Sequence, residues 1–233
     1  MIPKILWMYW DGGYESINEV SRRCFESWKY HNHDWDIRFL DNDNVTEYFD
    51  LGDWTLPDGV KTSEVLRIHL LSKYGGVYSD IDVFCCKPLD EWIHDSNPEG
   101  FFAFDLPGTR RVISSWFFAS TKGNYLTQKY YEAVKEYWSN RSIADEYFWL
   151  HYLFKPVFDS DREAKRIWDS CNKISAWDCL IFRPNRDSTR IPFNLPPNDK
   201  AKAILSKNKE PVYKLNRRVE DLDVGCILDI LDG

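Results

Sequence analysis

The apolar positions of the chain switch between the period of a strand and the period of a helix. Ile2 to Trp10 is apolar and aromatic apart from Pro3 and Lys4, which predicts a buried opening strand, and Asp11-Gly12-Gly13 ends it. Ser16-x-x-Glu19 reads as a capping box, and Ile17, Val20, Cys24, Trp28 and His31 follow at helical spacing, so a helix is predicted over 17–31. Trp35, Ile37 and Phe39 alternate with Asp36 and Arg38 as a second strand. Asp41-Asn42-Asp43-Asn44 is turn chemistry, lacking the glycine and terminal Glu of a calcium loop. Asn44 with Glu47 is placed to cap a short helix, and 52–59 reads as a loop. A second long helix is expected to start at Thr62 or Ser63, with Glu64 in its first turn and Val65, Leu66, Leu70 and Leu71 on its apolar side. Gly75 falls where a left-handed C-terminal residue is expected, Gly76 prolongs the turn, and Val77 and Tyr78 open a third strand.

Beyond Asp90 the pattern is less regular. Phe101–Phe104 is a short apolar run, 105–111 reads as a loop, and 112–120 reads as a further strand. Leu126, Tyr130, Ala133, Val134 and Tyr137 predict a helix ending near Asn140. A second helical run, 144–154, is expected to stop at Pro156, and 161–171 has the look of a surface helix. The stretch 183–209, rich in Pro, Asn, Asp and Lys, is expected to be irregular, with a lid over a ligand as one use for it. The alternation of strand and helix in the first half is that of an α/β fold with a largely parallel sheet flanked by helices, and no repeat or linker divides the chain.

The chemistry concentrates between Lys61 and Asp90. In extended backbone Asp80 and Asp82 point the same way, and they would lie at the carboxyl end of a strand, the edge where such sheets bind ligands. Two hard carboxylates there can hold Mg²⁺ or Mn²⁺ and leave positions open for phosphate oxygens. Glu64 and Arg67 share a helix face, and an Arg so placed can clamp a phosphate or orient a sugar. Asp82 is expected to face a site rather than the core, so that its removal should spare the fold. A second Asp-x-Asp, Asp221-Leu222-Asp223, has no apolar strand before it and reads as a surface pair.

Ser63-Glu64-Val65-Leu66-Arg67, Tyr74-Gly75-Gly76-Val77-Tyr78, Asp80-Ile81-Asp82-Val83 and Lys87-Pro88-Leu89-Asp90 together resemble the signature of the DXD-motif sugar-transferring glycosyltransferases. That group includes bacterial capsular polysaccharide synthesis proteins and the initiating mannosyltransferases of yeast. Its pattern has Asp where this chain has Glu64. The resemblance implies a single glycosyltransferase domain of GT-A type, Rossmann-like, with 1–92 as the nucleotide-sugar half and 93–233 as the acceptor half and C-terminal segment. It implies Mn²⁺ or Mg²⁺ at Asp82 and Asp80, a UDP- or GDP-linked sugar as donor, and a saccharide or glycan acceptor. Trp10 falls on the position associated with the nucleotide base, the alternative being a core Trp at a strand end, and Gly12 belongs to the same turn. Lys214, in a late Val-Tyr-Lys-Leu element, is a candidate second cation for the diphosphate, or else a strand-edge lysine. The run from Asp145 to Phe154 also resembles the capsular group. Within it Asp145 and Glu146 are candidates for acceptor binding or base work, or for complementing a helix dipole. His151 either orients an acceptor hydroxyl or is a hydrogen-bonded core residue.

Composition narrows the field without choosing the substrate. A net charge of −7 argues against nucleic acid as a partner and makes a local positive pocket necessary for a diphosphate. Aromatic residues at 16 %, with 11 Trp, suit sugar stacking as well as a core. The 6 cysteines have no metal-finger spacing and Cys85 and Cys86 are adjacent, which points to reduced thiols. No apolar run has membrane-spanning length, so a place in the cytoplasm or at a membrane periphery is expected. Two other readings compete. Asp80-Ile81-Asp82-Val83 fits the nucleophile motif of a haloacid-dehalogenase-like phosphohydrolase, though that motif normally follows an N-terminal strand directly. A non-catalytic carbohydrate-binding protein would use the aromatics but has no need of Glu64, Arg67, Asp80 and Asp82 together.

Overall fold

The computed structural model describes residues 1–50, 52, 54–94, 98–108, 110–183, 190–207 and 209–232. In chain order the elements are β1 (Ile5–Tyr9), α1 (Glu19–His31), β2 (Asp36–Leu40), α2 (Gly59–Lys73), β3 (Gly76–Ser79), β4 (Val83–Cys85), β5 (Phe101–Gly108), β6 (Arg111–Ser120), α3 (Tyr125–Trp138), α4 (Trp149–Asp159), α5 (Arg162–Ser170), α6 (Ala176–Cys179), α7 (Asp199–Leu205), β7 (Val212–Lys214) and α8 (Ile227–Asp232). They fall into two compact units: Met1–Ser16, Asp34–Asp80 and Ile93–Ser175 form one, and Ile17–His33, Ile81–Trp92 and Ala176–Gly233 form the other.

The larger unit is an α/β assembly around a five-stranded sheet of order β2-β1-β3-β6-β5. The first three strands of the sheet are parallel, β1 pairing with β2 and with β3. β6 runs antiparallel to β3 and to β5. β3 is buried along its whole length, which explains its apolar character. Helices α2, α3, α4 and α5 pack with the sheet around one core that includes Trp7, Tyr78, Phe101, Phe118, Tyr130, Trp149, Phe154 and Trp168. Both glycines of the Tyr-Gly-Gly turn are required by geometry. Gly75 and Gly76 have φ of +72° and +100°, and a Cβ on Gly76 would lie 2.5 Å from the Ile5 carbonyl oxygen.

The smaller unit holds α1, the antiparallel pair β4–β7, and α6, α7 and α8. Its core includes Val20, Cys24, Phe84, Phe182, Phe193, Tyr213, Leu215 and Leu228. The Trp28 indole N–H donates to the Val83 carbonyl at 2.8 Å, tying α1 to β4.

Several boundaries differ from the sequence expectation. The cap of α1 is Asn18, whose side chain accepts from the Ser21 N–H, so the Ser16–Glu19 capping box does not form. Asn44 makes no side-chain cap; Asp41 instead accepts from the N–H groups of Asp43 and Asn44. The expected loop at 105–111 is the far end of a hairpin, with Asp105 opposite Ile113 and Gly108 opposite Arg111. Pro107 is tolerated there because β5 is an edge strand. Pro156 lies inside α4 rather than ending it, and the burial of Trp149, Leu150, Phe154, Val157 and Phe158 outweighs the lost N–H. The irregular stretch 183–209 contains α7, capped by Asn198. The lid reading of that stretch falls partly on 184–189 and 208, which lie outside the described residues.

Candidate active site

The α2–β3 corner supplies the first group of side chains. Asp58 caps α2, its carboxylate accepting from the Lys61 N–H at 2.7 Å. The helix therefore starts earlier than Thr62 or Ser63, and Glu64 sits in the second turn, not the first. Ser63 serves Arg67 instead: its Oγ accepts from Arg67 Nη2 at 2.7 Å and its carbonyl from Nε at 3.1 Å. The Ser115 carbonyl accepts from Nη1, and the guanidinium lies 4.8 Å from the centre of the Tyr78 ring. Nη2 also meets Asp80 Oδ1 at 3.1 Å. Arg67 is 4 % exposed. Burial works against its charge, but Asp80, Tyr78 and Glu64 outweigh it and hold its pKa above the usual arginine value. Tyr78, its hydroxyl 2.8 Å from Ser63 Oγ, is pushed up to about 12, chiefly by burial.

Asp80 follows β3 and is anchored by its backbone N–H, which donates to the Trp116 carbonyl at 2.8 Å. Ile81 and Asp82 then form a turn, so the extended backbone expected to align the two carboxylates is absent. The larger unit ends a segment at Asp80 and the smaller one begins a segment at Ile81. Within the smaller unit Asp82 is 4 % exposed and ion-paired through Oδ1 with the buried Lys214 ammonium. Its Oδ2 accepts from the Arg217 N–H at 3.2 Å and its carbonyl from the Leu215 N–H at 2.8 Å. Asp82 is thus part of the packed interior of its unit, contrary to the expectation that its removal spares the fold. Lys214 is its counter-ion and lies on β7, an edge strand of a two-stranded sheet, as the strand-edge reading had it, but with its side chain buried.

Glu64 is buried, and its Oε2 accepts from Lys61 Nζ at 2.9 Å and from the Trp149 indole N–H at 2.6 Å. His151 on α4 is 7 % exposed, and its Nδ1 has no hydrogen-bond partner among the described residues. Burial, then the charges of Arg111, Arg67 and Lys61, lower its pKa to about 3, so it is neutral across the physiological range. It is therefore not the hydrogen-bonded core histidine that was the alternative reading. Trp10 is half-buried and donates through Nε1 to Ser16 Oγ at 2.9 Å, so it is not a core residue. A Cβ at Gly12 would lie 2.5 Å from the same Ser16 Oγ, so a side chain there requires that hydroxyl to turn away from Trp10. Asp145 and Glu146 precede α4, are exposed, and stand in no helix. Asp145 pairs with Arg141 at 3.2 Å. The reading of both as first-turn acids of a helix falls with the later start of α4.

Among the described residues no group of three or more His, Cys, Asp or Glu could hold a metal ion. Asp80 and Asp82 are hard oxygen donors two residues apart in the chain, each with a cationic partner, Arg67 and Lys214.

Sequence reasoning missed three residues here. Lys61 stands three residues before Glu64, a spacing readable as a helical ion pair. Trp149 reaches Glu64 across 85 residues, which no local pattern reveals. Arg111 lies 4.1 Å over the Phe148 ring, and that ring is 5.2 Å from His151. Its Nη2 donates to the Pro107 carbonyl at 3.0 Å, and burial lowers its pKa.

Residues 1–220 match the family described as capsular polysaccharide synthesis protein. The chain is 25 % identical over 160 residues to the probable glycosyltransferase FCK3 of Fusarium pseudograminearum, covering 60 % of this chain and 40 % of that one. It is 31 % identical over 81 residues to inositol phosphoceramide mannosyltransferase 1 of Schizosaccharomyces pombe, covering 34 % of this chain and 24 % of that one. The chain therefore spans well under half the length of these curated relatives. Among solved structures, the PaToxG glycosyltransferase superposes with a TM-score of 0.51 at 16 % identity, covering 72 % of this chain and 74 % of that one. At that identity the likeness is one of fold.

Proposed function

The chain belongs to the capsular polysaccharide synthesis protein family, and from that premise we propose that it transfers a sugar from a nucleotide-diphosphate sugar to a hydroxyl of a saccharide or glycan acceptor. The observation that carries the reading is Arg67, locked in place by Ser63, Tyr78 and Ser115 and ion-paired with Asp80 just beyond β3. A cation held so rigidly is preorganised for charge that develops elsewhere in the reaction.

The bond to be broken joins the anomeric carbon of the sugar to a phosphate oxygen, and negative charge builds on the departing diphosphate. Arg67 meets that charge from the larger unit, and Lys214 is the second cation of the reading. Asp80 and Asp82 would hold Mg²⁺ or Mn²⁺, which supplies Lewis-acid stabilisation of the leaving group when bound. Trp10 offers a half-buried ring to the nucleotide base, and Gly12 keeps the neighbouring turn open to close approach. Neutral His151 accepts or donates one hydrogen bond without adding charge, which suits an acceptor hydroxyl. Asp145 and Glu146, exposed ahead of α4, are read as acceptor contacts. The reading places the chain in the cytoplasm or at a membrane periphery, where the adjacent Cys85 and Cys86 would stay reduced. No helix among the described residues is long and apolar enough to cross a membrane.

The phosphohydrolase and the lectin-like alternative are less well supported, because the family match covers nearly the whole chain and the fold likeness reported above is to a glycosyltransferase. The test is release of UDP or GDP from UDP-glucose, UDP-galactose and GDP-mannose by wild type and by Arg67→Lys. Lysine keeps the charge but cannot reproduce the planar fork, so a rate loss of about 100-fold or more is expected. An Arg67→Lys enzyme with the wild-type rate would refute the role given to this residue.

A further inference from the structure

Glu64 stands where the family pattern has Asp, and its surroundings explain the longer side chain. Both donors that reach it converge on one oxygen, Oε2: Lys61 Nζ from one turn earlier on α2 and the Trp149 indole N–H from the start of α4. Oε1 receives no protein donor among the described residues. Trp149 is itself fixed, stacked on Tyr137 at 4.8 Å and 19° and edge-on to Trp138 at 5.3 Å and 83°. Lys61 is held beside the Tyr147 ring at 5.3 Å. A carboxylate with one oxygen doubly bound and the other open cannot rotate without breaking two charge-assisted bonds. Its open oxygen is therefore aimed, and what it can take is a hydroxyl or N–H donor from a ligand.

We propose that Lys61 and Trp149 are positioning residues that present Oε1 of Glu64 to a hydroxyl of the donor's sugar ring, and so set which sugar is accepted. The inference rests on the reading of this chain as a user of nucleotide sugars. Arg67 lies three residues on along the same helix face, so the aimed oxygen and the preorganised guanidinium serve one ligand. An Asp at position 64 would be one methylene shorter and would lose its grip on Trp149 or on the ligand. A buried acceptor built to meet a hydroxyl rejects sugars that lack it, because the carboxylate is then left desolvated and unpaired.

The test compares binding of the intact sugar nucleotide with binding of its nucleotide alone. Trp149→Phe keeps an aromatic ring against Tyr137 and removes the indole N–H together with part of the ring; Lys61→Gln, which leaves the Trp149 ring in place, is the second variant. Calorimetry would use UDP-glucose, UDP-galactose and GDP-mannose against UDP and GDP. The expected result is that Trp149→Phe weakens the best sugar nucleotide about ten-fold and raises its KM more than it lowers kcat, while UDP or GDP binds as in wild type. In a Glu64→Asp background the same substitution should cost little more. Equal loss for nucleotide and sugar nucleotide, or no loss for either, overturns the positioning role, since a merely structural contact would show one or the other. Wild type that binds no nucleotide at all overturns the functional reading and the inference with it.

Discussion

At the scale of single residues, the account depends on which charges the fold neutralises for itself. Asp80 is met by Arg67, Asp82 by Lys214 and Glu64 by Lys61, so three carboxylates of the expected site have internal counter-ions. This makes Asp82 a stability determinant as well as a candidate ligand. Truncating one member of a buried ion pair leaves the other desolvated beside apolar neighbours. Asp82→Ala is expected to destabilise the protein by roughly 3 kcal/mol in chemical denaturation, with Lys214→Met recovering much of the loss when combined with it. Additive losses in the double variant would mean that the pair is not coupled. Glu64, Arg67, Asp80, Asp82, Lys214 and His151 were all legible as candidates because short motifs carry them. Their partners were not. Ser115 and Trp149 meet Arg67 and Glu64 through contacts between distant segments, and no local periodicity encodes such contacts.

At the scale of elements, the order of strand and helix through β3 follows from apolar patterning, because α1 buries one face while β1 and β3 are buried on both. The ends were less legible. Asn18 caps α1 in place of Ser16, and Asp58 caps α2 in place of Thr62 or Ser63, since several residues of cap type lie near each start and tertiary packing selects among them. The aromatic face of α4 overrides the proline that local propensity reads as a stop. The Tyr-Gly-Gly turn is the opposite case, where local sequence and global packing agree. Gly76 has both a left-handed φ and the Ile5 carbonyl of the neighbouring strand in contact range of any Cβ. Gly76→Ala is therefore expected to lower stability by more than about 2 kcal/mol and, by displacing β3, to reduce activity in the same preparation. A thermal midpoint unchanged from wild type would show that the β1–β3 register tolerates the side chain.

At the scale of the whole molecule, the α/β sheet places Arg67 and Asp80 next to the exit of a central parallel strand, the edge where such sheets take ligands. The chain then leaves the larger unit immediately after Asp80 and enters the smaller one, which owns Asp82 and Lys214. The two acids of the motif thus belong to different compact units, which the sequence spacing alone did not disclose. A net charge of −7 makes the buried cations Arg67 and Lys214 the more conspicuous, since diphosphate recognition depends on local charge. The central claim is that this chain uses them on a metal-bound nucleotide diphosphate. Its most direct test is calorimetric titration of UDP and of GDP into the full chain, first with Mn²⁺ and then with the metal chelated. The account predicts that one of the two nucleotides binds with Mn²⁺ present and that chelation weakens it at least about ten-fold. Failure of both nucleotides to bind, with and without metal, would contradict it.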